Sequence, residues 1–329
     1  MLKLDRIWKT YRVGAFGNKQ LTAVRDVSFD VGPGEVVSLI GESGSGKTTI
    51  GRMVLRLNSI SRGKILFDGT DISAIKRHQL KEYYRQVQGV FQDPFSSYNP
   101  IFKADRVFYM VRDQYFPRVK TTEWNDRIES ALRDVRLDPG QVLNKFPHQL
   151  SGGQLQRMLI ARALLLDIKI LVADEIISML DASTRIDVLN LLADLKARGL
   201  GILFVTHDLA LGNYISTRTV ILRKGVAVEM GETAKVFADP QHPYSKVLLG
   251  SVPQLHKKWS QVAAELKLDD TAAVEHCVYH EKFPGECGQP PSDPDQPPVV
   301  EYQPGHFVAC AKEGREHLED LLVDRKSVV

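Results

Sequence analysis

Residues 41–48 read Gly-Glu-Ser-Gly-Ser-Gly-Lys-Thr, and this run carries the clearest chemistry in the chain. Its glycines let backbone N–H groups turn inward around an anion, the lysine supplies a point charge, and the threonine hydroxyl suits a divalent cation. The spacing is that of a phosphate-binding loop. Lys47 is expected on the terminal phosphates and Thr48 on Mg2+, with Gly41, Glu42, Ser43, Gly44, Ser45, Gly46 and Thr49 forming the rest of the cradle. The other reading is a glycine-rich turn with an incidental lysine. The flanks argue against it: residues 35–40 (EVVSLI) read as a buried strand, and residues 47–57 read as a helix whose dipole would face the phosphates.

Three more groups stand where apolar runs end. LVADE closes on Asp174 and Glu175; Asp174 could hold the metal and Glu175 could orient or deprotonate an attacking water. His207 follows the run ending at Thr206 and could hold that water in line, while Gln92 follows Gly89-Val90-Phe91 and could reach the metal or water through its amide oxygen. Each has a plainer reading: an acidic pair closing a strand, an ordinary loop histidine, a loop glutamine. In open α/β sheets, however, ligands bind outside the carboxyl ends of the strands, and four such exits would converge on one place.

These groups need elements to hold them. Residues 168–173 (IKILVA) and 201–206 lack alternation and fit central parallel strands covered on both faces. Helical patterns cover residues 74–87 and 183–198, and longer ones fill 101–165; residues 63–72 read as a hairpin edge, 89–91 as a short strand, and 219–237 as short strands. Strand and helix alternate, which favours an α/β core with a mainly parallel sheet. Composition changes near residue 250, and the proline-rich, acidic stretch 284–304 is expected as an exposed extended loop.

The chain has 329 residues, enough for one large core or a core plus a smaller domain, and is 43% hydrophobic and 25% charged, as in an ordinary globular protein. A net charge of +3 over this length gives no reason to expect a nucleic-acid partner. No apolar run reaches the length of a membrane span, and the N-terminus lacks the pattern of a signal peptide. The 3 cysteines all lie beyond residue 276 and do not form a secreted disulfide framework, so the expected placement is inside the cell.

Leu150-Ser151-Gly152-Gly153-Gln154 is not explained by a simple phosphate-binding fold. Ser-Gly-Gly before a helix is a second nest of backbone donors, or else a helix start with Ser151 as its cap. Here the sequence resembles the nucleotide-binding subunits of ATP-binding-cassette (ABC) transporters over about residues 1–250. LSGGQLQR at 150–157 is similar to the family signature, Gln92 to its Q-loop glutamine, Ser178-Met179-Leu180-Asp181 to its D-loop, His207 to its switch histidine and Tyr11 to the aromatic residue that stacks on adenine. Tyr11 also reads as a plain strand residue. Ile176 stands where the family often has proline and Met179 where it usually has alanine; neither departure removes a catalytic group.

The resemblance implies a P-loop NTPase core with an antiparallel β subdomain and a helical subdomain at about 101–165. It implies an ATPase using ATP and Mg2+, and a head-to-tail dimer with a second such subunit, like or unlike. Leu150, Ser151, Gly152, Gly153 and Gln154 would act in trans on the partner's nucleotide, with Asp181 at the same junction. The region after Gln92 would contact two transmembrane permease subunits, which work with an extracytoplasmic solute-binding protein. The subunit would sit peripherally on the cytoplasmic face of the membrane.

Phe91-Gln92-Asp93-Pro94-Phe95-Ser96-Ser97-Tyr98-Asn99-Pro100 and His242-Pro243-Tyr244 look most like the dipeptide and oligopeptide importers, so solute import of peptides is expected. Some members of that branch carry oligosaccharides, and a non-transport ABC ATPase is a further alternative; the single cassette without a long coiled coil speaks against the latter. The branch has a C-terminal extension, here 251–329, with four cysteines and a late histidine. Cys277, Cys287 and Cys310 match three of these cysteines, His306 matches the histidine, and Phe283 stands at the second cysteine position. Four thiolates could hold zinc or an iron–sulfur cluster, and three with a histidine could still do so. The alternative is scattered residues in a packed extension.

Overall fold

The structure is a computed structural model that describes residues 1–13, 19–250, 277–283 and 298–311. Two long strands, β1 (Leu2–Val13) and β2 (Lys19–Val31), pair antiparallel. After β3 (Val36–Ile40) and α1 (Lys47–Val54) the chain returns to them with β4 (Arg62–Phe67) and β5 (Thr70–Asp71), completing a four-stranded sheet in the order β2-β1-β4-β5. Next come α2 (Leu80–Gln86) and β6 (Val87–Val90), then a helical stretch of α3 (Arg106–Tyr115), α4 (Thr121–Asp134), α5 (Pro139–Val142) and α6 (Gly152–Leu164). The chain continues through β7 (Ile170–Asp174), α7 (Ala182–Ala197), β8 (Gly201–Thr206), α8 (Leu209–Ile215), β9 (Arg218–Arg223), β10 (Val226–Glu232), α9 (Thr233–Ala238) and α10 (Pro243–Gly250). The described part of the C-terminal region holds α11 (Val278–Lys282), β11 (Val299–Gln303) and β12 (His306–Ala309).

The α/β core with a mainly parallel sheet is present. β6, β7, β8, β3 and β9 pair parallel, and β10, β12 and β11 continue the same eight-stranded sheet antiparallel. Every residue of β3, β7 and β8 is buried, because both sheet faces are covered. The period-two alternation of strand side chains divides these residues between two cores. Leu171, Ala173, Ile202 and Phe204 face the helices α3, α4, α6 and α7; Ile170, Val172, Leu203 and Val205 face α1 and the antiparallel sheet. The strands are therefore clamped from both sides, and their carboxyl ends become a fixed platform.

Three expectations are corrected in detail. Residues 74–87 are helical only from Leu80, since Ile72–Ala74 and Arg77–Gln79 are single 3-10 turns. The run 219–237 leaves strand geometry at Glu232 and turns into α9. Within the proline-rich stretch, Val299–Gln303 is a strand, not a loop: Val299, Val300 and Glu301 pair with β12, and Pro304-Gly305 make the turn, with Gly305 at φ 74°. Residues 284–297 of that stretch lie outside the described residues. The hairpin joins the main sheet because β12 pairs with β10 at Glu229↔Val308 and Gly231↔His306.

Candidate functional site

Parallel register decides which side chains meet. Ile40 lies opposite Thr206, Val205 opposite Asp174, and Ala173 opposite Val90. The residues that leave these strands, Gly41, His207, Glu175 and, past Phe91, Gln92, therefore emerge along one edge. The four exits lie together at the carboxyl ends of the parallel strands.

The loop 41–46 is shaped by two glycines whose backbone no L side chain could hold comfortably. Gly41 (φ 154°) would place a Cβ 2.1 Å from the Leu222 carbonyl, and Gly46 (φ 100°) would place one 2.6 Å from the Ala23 carbonyl. Close approach to β9 on one side and β2 on the other thus fixes the loop. Gly46 is the N-cap of α1, and no side chain caps that helix. Its first-turn N–H groups are left for a ligand, and with no acid in that turn the site favours an anion. The contrast with other helix starts is direct: Ser151, Asp181 and Asp208 each cap their own helix. Gly44 has open space where a Cβ would be, and the buried Ser45 hydroxyl has no hydrogen-bond partner among the described residues. Both fit a cradle completed by an oxyanion.

Lys47 is 4% exposed, and its Nζ donates to the carbonyls of Gly41 (2.7 Å) and Glu42 (2.8 Å). Burial lowers its pKa from the usual lysine range, opposed by the charges of Glu175, Asp174 and Glu42. Thr48 donates from Oγ1 to Asp174 Oδ1 at 3.1 Å, bringing together the two groups expected at the metal. Burial raises the Asp174 pKa, opposed first by the Thr48 hydrogen bond, with Glu175 pushing it further up. A buried carboxylate beside a hydroxyl is a hard oxygen donor set that fits Mg2+, which needs few protein ligands when phosphates share it. Glu175 sits at φ 51°, its N–H bonded to the Val205 carbonyl at 2.9 Å, and its Oε1 lies 3.3 Å from His207 Nδ1. Gln92 and His207 are exposed, and Thr49 and Glu175 are half-buried. Glu42 and Ser43 are exposed at the rim.

Tyr11 lies on β1 two positions beyond Lys9, whose partner Val24 comes within 3.3 Å of a Cβ built on Gly46. Its hydroxyl accepts from Asn58 Nδ2 at 2.9 Å, and Lys9 Nζ stands 4.9 Å from its ring centroid. It is on the sheet that borders the loop.

The second nest is a reciprocal cap. Ser151 Oγ accepts from Gln154 N at 3.1 Å while Gln154 Oε1 accepts from Ser151 N at 2.9 Å. Ser151 is exposed, Leu150 and Gly153 are buried, and Gly152 and Gln154 are half-buried. Among the described residues no hydrogen bond joins this segment to the loop 41–48 of the same chain. Asp181 caps α7, accepting from Ser183 Oγ (2.6 Å), Thr184 N (3.0 Å) and Thr184 Oγ1 (2.7 Å). These bonds, the Ser183 hydroxyl first, hold its carboxyl well below the ordinary carboxylate range. Arg185 pins the bend by donating to the carbonyls of Leu180 and Ser178.

Sequence reasoning missed three groups. Gln156, fully buried on α6, donates to the Phe91 carbonyl at 3.2 Å and so ties the signature helix to the segment carrying Gln92. Tyr244, 1% exposed, accepts at its hydroxyl from Glu42 N at 3.3 Å, with the Arg223 guanidinium 4.7 Å from its ring centroid. Burial raises its pKa above the usual phenol range. A contact across 202 residues leaves no local signal in sequence.

The third is His280. Cys277, His280 and Cys310 place one ligand atom each within 4.8 Å of one another. His306 does not join them, which corrects the expected set. Its Nε2 is 2.7 Å from Glu229 Oε1, both side chains fully buried, and Nδ1 is 3.2 Å from Gln303 Nε2. The reason is reach: four residues of extended chain separate His306 from Cys310 by about 13 Å. Cys287 lies outside the described residues.

Residues 24–178 match the family model of the ABC transporter, and residues 228–284 match that of the oligopeptide/dipeptide transporter C-terminal region. The chain is 39% identical to the oligopeptide transport ATP-binding protein AmiF of Streptococcus pneumoniae over 296 residues, covering 89% of this chain and 90% of the relative. It is 40% identical to OppF, a protein of the same description from Streptococcus pyogenes, over 297 residues, with 89% and 90% covered. A dimeric structure of a post-hydrolysis state of the ATP-binding cassette MJ0796, bound to ADP and Pi, superposes with a TM-score of 0.64 at 29% identity, covering 71% of this chain and 99% of that one.

Proposed function

Because the chain belongs to the ABC transporter family, and to its oligopeptide/dipeptide branch, we propose that it hydrolyses ATP to ADP and phosphate to power import of di- or oligopeptides through a membrane transporter. The observation that carries this reading is the convergence of the uncapped α1 terminus, Lys47, the Thr48–Asp174 pair, Glu175 and His207 on one sheet edge. The first-turn N–H groups and Lys47 bind the β- and γ-phosphates. Thr48 and Asp174, with Gln92, would hold Mg2+, which would neutralise phosphate charge. Glu175 takes a proton from the attacking water, and His207 orients the γ-phosphate and that water. Tyr11 offers its ring to adenine.

In this reading residues 1–250 form the nucleotide-binding part, 101–165 its helical subdomain, and 251–329 the extension. The signature acts on the nucleotide of a second cassette subunit, like or unlike. The exposed, self-capped Ser151 supports this, as does the dimeric form of the related cassette. The apolar side chains Phe95 (49% exposed), Ile101 (77%), Phe102 (41%) and Met110 (59%) follow Gln92 and suit contact with two permease subunits. Among the described residues no helix is long and apolar enough to cross a membrane, so those subunits would supply the spans and hold this chain peripherally on the cytoplasmic face. A solute-binding protein on the opposite face would deliver the peptide.

The test is reconstitution. The chain is purified with the membrane proteins that accompany it in detergent, placed in vesicles with a peptide-binding protein, and supplied with ATP on the cassette side. ATP-dependent uptake of labelled peptide is expected. Purification with no accompanying multi-span protein, or uptake of oligosaccharide and not peptide, overturns the assignment.

A further inference from the structure

The Cys277, His280 and Cys310 group does not have the donors of a four-thiolate cluster. Phe283 packs into the small core there, its ring 5.5 Å from that of Tyr279. His280 turns toward the two thiols. From the geometry of this group we propose that the extension binds a single zinc ion through Cys277 Sγ, His280 Nε2 and Cys310 Sγ, not an iron–sulfur cluster.

The His280–Cys310 separation fits a tetrahedral ion, and the three ligand atoms all lie within 4.8 Å of one another. With Zn–S near 2.3 Å and Zn–N near 2.0–2.1 Å, a tetrahedral angle separates sulfur from nitrogen by about 3.6 Å. Cys310 Sγ and His280 Nε2 are 3.4 Å apart. Cys277 is the N-cap of α11 and His280 lies three positions on, so one helical turn sets both on one face; Cys310 follows the end of β12. Both cysteines are buried, 6% and 7% exposed.

The surroundings are those of a liganded site. His280 Nδ1 lies 2.9 Å from the Phe283 carbonyl, which can only accept, so Nδ1 carries the proton and the Nε2 lone pair faces the sulfurs. A backbone carbonyl fixing the tautomer is the usual support of a zinc-bound imidazole. Cys277 Sγ accepts from Ala311 N at 3.3 Å, a bond that stabilises a thiolate. On binding, each thiol gives its proton to solvent and its sulfur lone pair to the ion. Water can supply the fourth position.

The site also reaches the nucleotide loop. The Cys310 carbonyl lies 3.2 Å from His242 Nε2, and His242 Nδ1 accepts from Tyr244 N at 3.1 Å, so Nε2 carries the proton and donates to Cys310. Tyr244 in turn accepts from Glu42. The zinc thus staples residues 277–283 to the end of the hairpin and, through it, steadies the segment that supports the loop.

The test uses the full chain, purified without a polyhistidine tag or chelator. Elemental analysis should give about one zinc per chain and no acid-labile sulfide. Iron with a matching amount of sulfide overturns the proposal, as does a metal-free chain with a Cys277–Cys310 disulfide on non-reducing mass analysis. Cobalt exchanged into the wild-type site should show a thiolate charge-transfer band in the near ultraviolet and visible bands of a tetrahedral ion; their absence counts against it. His280→Ala should lose most of the metal, whereas His280→Cys should keep it with a shifted cobalt spectrum. His306→Gln should keep the wild-type stoichiometry. Should His280→Ala retain zinc with an unchanged cobalt spectrum, the ligand set is wrong.

Discussion

Gly153→Ala puts the packing of the signature helix against the D-loop to a quantitative test. A Cβ at Gly153 would lie 2.4 Å from Thr184 Cγ2. Thr184 cannot simply rotate away, because its Oγ1 donates to Asp181 at 2.7 Å. Two effects then compete. Gly153 is in the first turn of α6, where alanine is favoured over glycine by about 0.5–1 kcal/mol. Overpacking opposes it by about 1–3 kcal/mol, or by about 1 kcal/mol if Thr184 turns and forfeits its hydrogen bond. The single variant should therefore range from neutral to about 2.5 kcal/mol less stable. Thr184→Ser deletes Cγ2 and keeps the hydroxyl on Asp181. In that background Gly153→Ala should become stabilising by up to about 1 kcal/mol. The coupling, about 1–3 kcal/mol in favour of the pair, is read from urea unfolding of the four nucleotide-free proteins at unchanged m-value. If the two substitutions add to within about 0.5 kcal/mol, the contact does not limit the approach of the two segments.

Lys47→Ala should remove most ATP affinity, since no other buried cation stands in the loop, and equilibrium binding of a labelled nucleotide checks it. Glu175→Gln should keep ATP binding and lower turnover by about 10²–10⁴-fold, the usual worth of a positioned base; with Mg-ATP it should accumulate as a dimer in light scattering, and near-normal turnover would move the base elsewhere. Asp174→Asn should abolish Mg2+-dependent turnover yet raise the melting temperature of the nucleotide-free chain, because burial penalises the charge. The sign follows from linkage: a raised carboxyl pKa contributes stability that is present below the ordinary value of 3.8 and is lost as pH rises through the folded value, so the gap between variant and wild type should open across that window. Tyr244→Phe keeps the ring beside Arg223 but removes the acceptor for Glu42 N; a loss of about 0.5–1.5 kcal/mol in loop order corresponds to a rise in the KM for ATP of about 2- to 10-fold with little change in kcat. An unchanged KM would show that the contact does not position the loop.

What the sequence by itself determined is local. The glycine loop and the Ser151–Gln154 cap join groups within a few residues, where backbone geometry alone brings them together. The unalternated runs at β7 and β8 state that both faces are covered, and parallel pairing then aligns Gly41, Asp174 and His207 along one edge. Tertiary structure decided the contacts that depend on how elements stack. Tyr244 reaches Glu42 only because α10 packs beside β10, and Gln156 reaches Phe91 only because α6 crosses β6. The proline-rich stretch shows the limit most sharply. Its composition argues against a strand, yet Val299–Gln303 pairs with β12, which is fixed on β10. His306, four positions before Cys310, is drawn by that same pairing into a buried contact with Glu229, leaving His280 to meet the thiols. A strand's register sends each side chain to one face, and which partner waits there depends on elements tens to hundreds of residues away.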